Sequence, residues 1–412
     1  MAVSWLMQAN EYEALLKERV LDRIDLSYDI CDDDIQEIIN RELSILSKDE
    51  HILFKDRMLL GERVFNSLRK LDVLEDLLKD DEVTEIMING YDTIFIEKNG
   101  KLIKADVGFT SKERLDDIIQ IIVSANNRIV NESSPIVDAR LEDGSRVNIV
   151  LEPASVKGSI VSIRKFPKTP MTMGRLLEFG AINKEIADCM KRLVEAGYNI
   201  VVSGGTGSGK TSFLNALAEY IPKDQRVITI EDSAELQLFT VDNLVRLEAR
   251  NSNLEGKNQI TIRDLLKTSL RMRPDRLIIG ECRGAEALEI LQSANTGHDG
   301  TCSTLHSNSC KDALSRLEVM TMMAGEEMPL NAIRQQIAAG IDIVVQLSRI
   351  RDGSRKLIEI SEIDAFENGE IKLNTLYRFY ELEEIDGKVT GEWRRESDLK
   401  HQGKLKRRGL TL

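Results

Sequence analysis

The fold is decided by one glycine-rich octapeptide, Gly204-Gly205-Thr206-Gly207-Ser208-Gly209-Lys210-Thr211. It fits the phosphate-binding pattern GxxxxGK[ST], in which glycines let the backbone wrap around phosphate oxygens without side-chain clashes. A β-like run, Ile200-Val201-Val202, leads into the octapeptide, and a helix with one apolar face leaves it. Backbone N–H groups and the helix N-terminus therefore converge on one anion site. The sequence predicts that this segment binds nucleotide phosphates.

Two side chains of the octapeptide have individual roles in this prediction. We expect Lys210 to bridge the β- and γ-phosphates, and the Thr211 hydroxyl to coordinate Mg²⁺. The segment therefore predicts a nucleotide together with its metal ion.

Two further apolar runs end in carboxylates. Leu277-Ile278-Ile279-Gly280-Glu281 suggests a second nucleotide-binding element, in which Glu281 holds the hydration shell of Mg²⁺. A surface glutamate at a strand end is the alternative. The run from Val227 to Ile230 is followed by Glu231 and Asp232. We predict Glu231 as the general base that deprotonates the attacking water, and Asp232 as a residue near the metal or held in a hydrogen bond.

Two of the four histidines lie in the glycine-flanked segment 297–306. His306 follows a β-like run, so it is placed to hydrogen-bond the γ-phosphate. A purely structural histidine explains the same position, and this pair alone does not decide between the two.

The pattern along the chain divides it into five segments. Short strands with turn signals give way to an alternation of strands and helices, which is typical of an α/β domain with a mainly parallel sheet. The prediction is an acidic helical extension over 1–60, an α+β domain over 61–165, a linker over 166–180, an α/β domain over 181–385 and a C-terminal tail over 386–412.

The composition limits the classes of function. The chain has 412 residues and a net charge of −13, which disfavours nonspecific nucleic-acid binding. Residues 1–50 hold 13 acidic and 5 basic side chains, so most of the excess negative charge lies there. Such a charge run is either a solvated helical face or a docking surface for a partner. The chain has no apolar run of membrane-spanning length and no recognisable secretory signal, so we expect a cytoplasmic protein.

Three other features have weak sequence signals. The five cysteines show no zinc-site spacing, which predicts buried or incidental thiols and no zinc. The methionine-rich run 319–323 is predicted to pack inside a helix layer. The basic residues after position 400 form either a frayed, solvated terminus or a contact with anionic lipid.

The four nucleotide-site segments, in this order and spacing, resemble the type II/type IV secretion ATPase superfamily. The glycine loop, TIEDSAELQL (229–238), LRMRPDRLIIGECRGAEALE (270–289) and TGHDGTCSTLHSNS (296–309) are similar to its Walker A, Asp box, Walker B and His box. EIMING, DARLEDGSRVN and SIRKF before the loop, and GIDIVVQLSRIRDGSRKL after it, resemble the CpaF/TadA-type branch, whose motors drive Tad (Flp) pilus assembly.

The resemblance implies a homo-hexameric ring whose subunits join an N-terminal domain to a RecA-like P-loop NTPase domain, with ATP bound between them. It assigns Glu231 to the Asp box, Glu281 to Walker B and His306 to the His box. It also implies that arginines reach the nucleotide. The matching positions are Arg140, Arg146 and Arg164 in the first domain, and Arg271 and Arg283 around Walker B.

The same resemblance implies a partner and a location. The motor would work on an integral platform protein of the inner membrane, associated peripherally with the inner face of that membrane. The chain lacks the tetracysteine zinc module of many superfamily members. Two other classes remain as alternatives: a ring-shaped nucleic-acid translocase, and a scaffold that binds ATP without hydrolysing it.

Overall fold

The computed structural model describes residues 2–24, 30–49, 52, 54–98, 100–166, 169–250, 258–325 and 327–412. The chain divides into two compact units, Met1–Lys168 and Thr169–Leu412. Across the described residues, no helix combines the length and the apolar character needed to cross a membrane.

The first unit begins with three helices that share a core. They are α1 (Ala2–Leu21), α2 (Asp32–Asp49) and α3 (Phe54–Arg69). Leu16, Ile39 and Val64 are fully buried between them. Asp32, Asp33 and Asp34 form the first turn of α2, where carboxylates interact favourably with the positive end of the helix dipole.

The remainder of the first unit is an antiparallel sheet with helices packed on its apolar side. Its elements are α4 (Leu74–Lys79), β1 (Val83–Asn89), β2 (Ile94–Lys98), β3 (Lys101–Lys104), α5 (Lys112–Ala125), β4 (Ile136–Arg140), β5 (Arg146–Val150) and β6 (Ile160–Arg164). The strand order is β3-β2-β1-β6-β5-β4. Alternate residues of the strands, such as Val147 and Val161, are buried with Ile118 and Ile122 of α5. This is the α+β arrangement that the strand and turn signals predict.

The second unit contains the glycine loop. Its elements are α6 (Met173–Glu178), α7 (Lys184–Ala196), β7 (Ile200–Gly204), α8 (Lys210–Ala218), β8 (Arg226–Glu231), β9 (Asn243–Glu248), α9 (Ile262–Ser269), β10 (Arg276–Ile279), α10 (Ala287–Asn295), β11 (Cys302–Leu305), α11 (Cys310–Met322), α12 (Leu330–Gly340), β12 (Ile343–Arg349), β13 (Arg355–Glu367), β14 (Glu370–Ile385), β15 (Lys388–Arg395) and α13 (Gly403–Arg407).

One nine-stranded sheet, with strand order β15-β14-β13-β12-β7-β11-β10-β8-β9, organises this unit. The strands from β12 to β9 in that order pair in parallel, while β13, β14 and β15 add an antiparallel extension. Separate apolar clusters cover the two faces, so β7 and β10 are buried along their whole length, as in parallel sheets generally. The α/β, RecA-like prediction for this region is confirmed.

The C-terminal residues differ from the expected tail. β15 is an edge strand of the sheet, and Leu399 and Leu405 are buried against the unit. Lys404 Nζ lies 2.7 Å from Asp342 Oδ2 and 2.8 Å from Asp299 Oδ1. The sequence suggested a frayed terminus because it shows the basic charges of this segment but not their distant acidic partners.

Two other segments also differ from expectation. α6 lies inside the predicted linker and belongs to the second unit, with Met173 and Leu176 buried. In the methionine-rich run only part packs as predicted, because Met320 is buried whereas Met322 and Met323 are more than half exposed.

A buried arginine fixes the amino-terminal edge of the sheet. Arg276 is only 2% exposed, its Nε donates to Gln225 Oε1 at 2.6 Å, and its Nη2 donates to Val194 O at 2.8 Å. Val194 lies in the last turn of α7, and its carbonyl accepts from Arg276 in addition to the C-cap N–H of Gly197. A Cβ atom on Gly300 would lie 1.4 Å from Arg276 Nη1, so this contact requires glycine.

We predict that Gly300→Ala destabilises the protein by about 3 kcal/mol, because it displaces a buried guanidinium and its hydrogen bonds. Gly297→Ala is the matched control. Gly297 has a similar positive φ, +94° against +78°, but open space around it, so only about 1 kcal/mol of backbone strain is expected. Denaturant unfolding of both variants checks this, and equal losses would contradict the steric explanation.

Candidate functional site

The glycine loop joins the central strand β7 to the N-terminus of α8. Lys210 is 8% exposed, and its ammonium group is turned back onto the loop, donating to Gly204 O at 3.1 Å and Gly205 O at 2.9 Å. The Ser208 hydroxyl donates to Gly205 O at 2.8 Å. The loop is therefore curled, with its lysine at the centre, as a phosphate-binding loop requires.

Sheet register brings the other predicted residues to the same edge. Leu305 of β11 pairs with Ser203 of β7, and Ile279 of β10 pairs with Ser303 of β11 and Ile230 of β8. All four strands are parallel, so their carboxyl ends meet at one edge of the sheet.

A chain of contacts connects the charged groups at this edge. Lys210 Nζ lies 3.4 Å from His306 Nδ1, and His306 Nε2 lies 3.0 Å from Glu281 Oε1. Arg283 Nη2 donates to Glu281 Oε2 at 2.6 Å, and its Nη1 lies 3.6 Å from Asp232 Oδ2. The structure thus brings together Lys210, His306, Glu281, Arg283 and Asp232.

The charges of this cluster follow from its surroundings. Burial and the neighbouring Lys210 charge lower the pKa of His306, so the ring is neutral at neutral pH. Burial opposes ionisation of Glu281, but the Arg283 hydrogen bond and charge, with His306 and Lys210, hold its pKa below the usual range. An ammonium group can only donate, so His306 Nδ1 accepts from Lys210, and Nε2 of the neutral ring carries the proton on the side of Glu281.

Glu231 lies in a different environment. Glu231 is only 2% exposed, and its Oε1 accepts hydrogen bonds from the backbone N–H groups of Glu235 and Leu236, both at 2.9 Å. Burial raises the pKa of Glu231 to about 7, against the lowering effect of these two bonds. A carboxyl that titrates near neutral pH suits a general base.

Gly280 sets the position of Glu231, and the sequence analysis assigned it no role. A Cβ atom at this position would lie 2.9 Å from Glu231 Cγ. The glycine between an apolar strand and a carboxylate was the available signal for this close approach.

A buried polar network next to the glycine loop has no counterpart among the sequence motifs. The Ser203 hydroxyl bonds to the Ser307 hydroxyl and donates to Gln346 Oε1 at 2.7 Å, and Gln346 Nε2 donates to Ser307 O at 3.2 Å. These bonds fix the residue after His306 to β7 and β12. The network pairs residues about 40 to 140 positions apart, so no local pattern reveals it.

Of the two arginines around Walker B, the structure brings one to the cluster within its own chain. Arg283 contacts Glu281, as described above. Arg271 is exposed and follows α9, before the amino end of β10, whereas Glu281 follows the carboxyl end of that strand. The length of β10 therefore separates Arg271 from the cluster.

The three arginines of the first unit form one row. Arg140 pairs with Arg146 across β4 and β5, and Arg146 pairs with Arg164 across β5 and β6. Directly opposite residues share a face of the sheet, and like charges there repel each other. The row therefore concentrates positive charge at one end of this sheet, which suits an anion.

The oxygen ligands at the edge fit Mg²⁺. Thr211 is the second residue of α8, and the carboxylate of Glu281 is kept ionised at the same edge. Mg²⁺ at nucleotide sites takes one or two protein oxygens, with phosphates and waters completing the shell. In the described part of the chain no group of three or more His, Cys, Asp or Glu side chains is arranged to hold a metal.

Strand, glycine loop and helix at the edge of a mainly parallel sheet, with carboxylates after neighbouring strands, define a RecA-like P-loop NTPase. Residues 67–376 match the family described as type II/IV secretion system protein, and the chain belongs to that family. Family membership implies nucleotide binding. The superfamily resemblance is thereby confirmed.

Individual relatives place the chain within this family. It is 32% identical to the type IV secretion system protein VirB11 of Brucella suis, over 71% of this chain and 88% of the relative. It is 31% identical to the conjugal transfer protein TrbB of Rhizobium radiobacter, over 71% of this chain and 87% of that relative. The solved structure of the pilus retraction motor PilT shares the fold, with a TM-score of 0.53 and 19% sequence identity. The match covers 72% of this chain and 83% of the PilT chain. The narrower CpaF/TadA assignment remains a prediction.

The pKa of Glu231 predicts a pH-dependent stability. A carboxyl with a pKa of 4.5 in the unfolded chain and about 7 in the fold binds more protons when folded. Its stabilising contribution, of order 3 kcal/mol, is complete below pH 4.5 and is lost as pH rises through about 7. Glu231→Gln cannot ionise, so its melting temperature should rise relative to wild type between about pH 5 and about pH 8.

The exposed Glu370→Gln serves as the control, since its carboxyl is paired at the surface with Lys372. Melting curves across the pH range check the prediction. A constant offset between Glu231→Gln and wild type would contradict the raised pKa.

Proposed function

We propose that this chain is the ATP-hydrolysing motor of a secretion or pilus-assembly machine. The proposal rests above all on the contact chain from Lys210 through His306 to Glu281, beside the buried carboxyl of Glu231. A protein that only binds ATP does not need a second acid with a pKa near 7. The relatives named for type IV secretion and conjugal transfer support the same class of machine.

The residues have distinct roles in this proposal. The loop N–H groups and Lys210 bind the β- and γ-phosphates, and the neutral His306 donates from Nε2 to a γ-phosphate oxygen. Ionised Glu231 accepts the proton of the attacking water. Mg²⁺, held by Thr211 and Glu281 with Asp232 nearby, would neutralise phosphate charge when bound.

Arginines neutralise the charge that develops on the transferred phosphoryl group. Within its own chain, Arg283 lies at the reacting edge, in contact with Glu281. We propose that the row of Arg140, Arg146 and Arg164 binds nucleotide phosphates, as the family resemblance implies. Arg271, at the opposite edge of its sheet, has no such role within one subunit.

We further propose a homo-hexameric ring at the cytoplasmic face of the inner membrane. Its partner would be an integral platform protein, and the CpaF/TadA-type motifs of the first unit favour pilus assembly as the work done. This part of the proposal rests on the sequence resemblance.

Two substitutions test the chemistry. Lys210→Ala removes the phosphate-binding cation, and Glu281→Gln removes the central negative charge of the cluster. We expect both to lower phosphate release to below about 1% of wild type, as losses of charge stabilisation at reacting centres do. Glu370→Gln should release phosphate at the wild-type rate. Undiminished turnover by folded Glu281→Gln would overturn the site assignment.

The alternatives give different results in the same assay. A nucleic-acid translocase would be stimulated by DNA, whereas a secretion motor should respond to detergent-solubilised platform protein. A scaffold would bind ATP without a single turnover. Light scattering in the presence of a nonhydrolysable ATP analogue measures the oligomeric mass. A monomer at high protein concentration would count against the proposed hexameric ring.

A further inference from the structure

The turn between β12 and β13 lies against the glycine loop. Arg355, the first residue of β13, donates from Nε to Gly207 O at 2.8 Å. The stem of the same side chain packs beside Gly209, since a Cβ atom there would lie 3.3 Å from Arg355 Cδ. One arginine from a separate hairpin thus contacts the phosphate loop at two of its glycines.

The turn that carries Arg355 is held by its own hydrogen bonds. Ile350 N donates to Ser354 O and Gly353 N donates to Ile350 O, each at 2.9 Å. Asp352 accepts from the N–H of Ser354 through Oδ1 and from the N–H of Val389 on β15 through Oδ2, both at 2.8 Å. Arg355 therefore reaches the loop from an anchored position.

The direction of the Gly207 carbonyl determines the direction of the next N–H group. A peptide unit is planar and trans, so the C=O of Gly207 and the N–H of Ser208 point in opposite directions. The Gly207 carbonyl accepts from Arg355 of the hairpin, and on the other side of the same peptide the Ser208 N–H donates to Gly205 O within the loop, at 3.4 Å. Gly207, at φ +69°, has the backbone freedom to let this peptide rotate.

We propose that Arg355 is a positioning residue for the phosphate loop. It holds the Gly207–Ser208 peptide with its carbonyl turned away from the phosphates and its N–H turned toward them. Without Arg355 the peptide samples the reverse orientation, which presents an oxygen to the phosphate oxygens. The role rests on the proposed function, since it concerns the same ATP site.

The proposal predicts a change in affinity without a change in chemistry. A preorganised loop binds the ground state and the transition state alike, so losing it raises KM and leaves kcat almost unchanged. We expect Arg355→Gln to raise the KM for MgATP about tenfold, with kcat within twofold of wild type. Arg355→Lys, which retains a charged donor, should recover part of the loss.

Arg351→Gln is the matched control. Arg351 lies in the same turn and carries the same charge, but its partners are Glu381 and Glu384, at 3.7 and 3.5 Å. Its KM should stay within twofold of wild type. The full-length proteins are compared by steady-state phosphate release and by equilibrium titration with a nonhydrolysable ATP analogue, which should show the same loss of affinity for Arg355→Gln.

The outcomes separate the two proposals. Wild-type turnover with an unchanged KM in Arg355→Gln overturns the role of Arg355 alone. The same holds if kcat falls while KM is constant, or if Arg351→Gln raises KM equally. A wild-type protein that neither binds nor hydrolyses ATP overturns the proposed function and the role of Arg355 with it.

Discussion

The site depends on the charge balance around one half-buried carboxylate, Glu281. Its side chain is 18% exposed, so its charge needs close partners. Arg283 supplies a charged hydrogen bond to Oε2, and the neutral His306 ring places Nε2 3.0 Å from Oε1, with Lys210 at the other ring nitrogen. Arg283 follows the same strand as Glu281, whereas His306 follows β11 and Lys210 follows β7, so sheet register determines whether the histidine and the lysine reach the carboxylate.

Much of this arrangement could be predicted from local sequence. The octapeptide fixes a strand–loop–helix unit, and the apolar runs ending at Glu231 and Glu281 place carboxylates at the same edge, because parallel strands share it. Contacts between distant residues could not be predicted. The basic residues near Lys404 suggested a frayed terminus, since their partners Asp299 and Asp342 lie far away in sequence. The polar network of Ser203 and Gln346 is hidden for the same reason.

The family resemblance marks several arginines as nucleotide contacts, and only the structure shows which of them lie near one another. Arg271 and Arg283 lie twelve positions apart, and sequence gives no reason to prefer one. β10 runs between them, so its direction places Arg283 at the carboxyl edge and Arg271 at the amino edge. In the first unit, sheet register brings arginines together instead of separating them. Arg140 and Arg146 are separated in sequence by a turn, yet they pair directly across two strands. Register therefore groups guanidinium side chains that the sequence separates at one end of this sheet.

The contacts of Lys210 suggest how nucleotide binding reaches the rest of the cluster. Its ammonium group donates to two loop carbonyls and lies beside His306. An ammonium group has three protons, so a phosphate oxygen must replace at least one of these partners. If the bond to His306 is lost, the Lys210 charge moves away from the ring. One cause of the lowered histidine pKa is then weakened, and the tie between His306 and Glu281 changes. In the proposed function, Lys210 would therefore both bind phosphate and transmit that binding to His306 and Glu281.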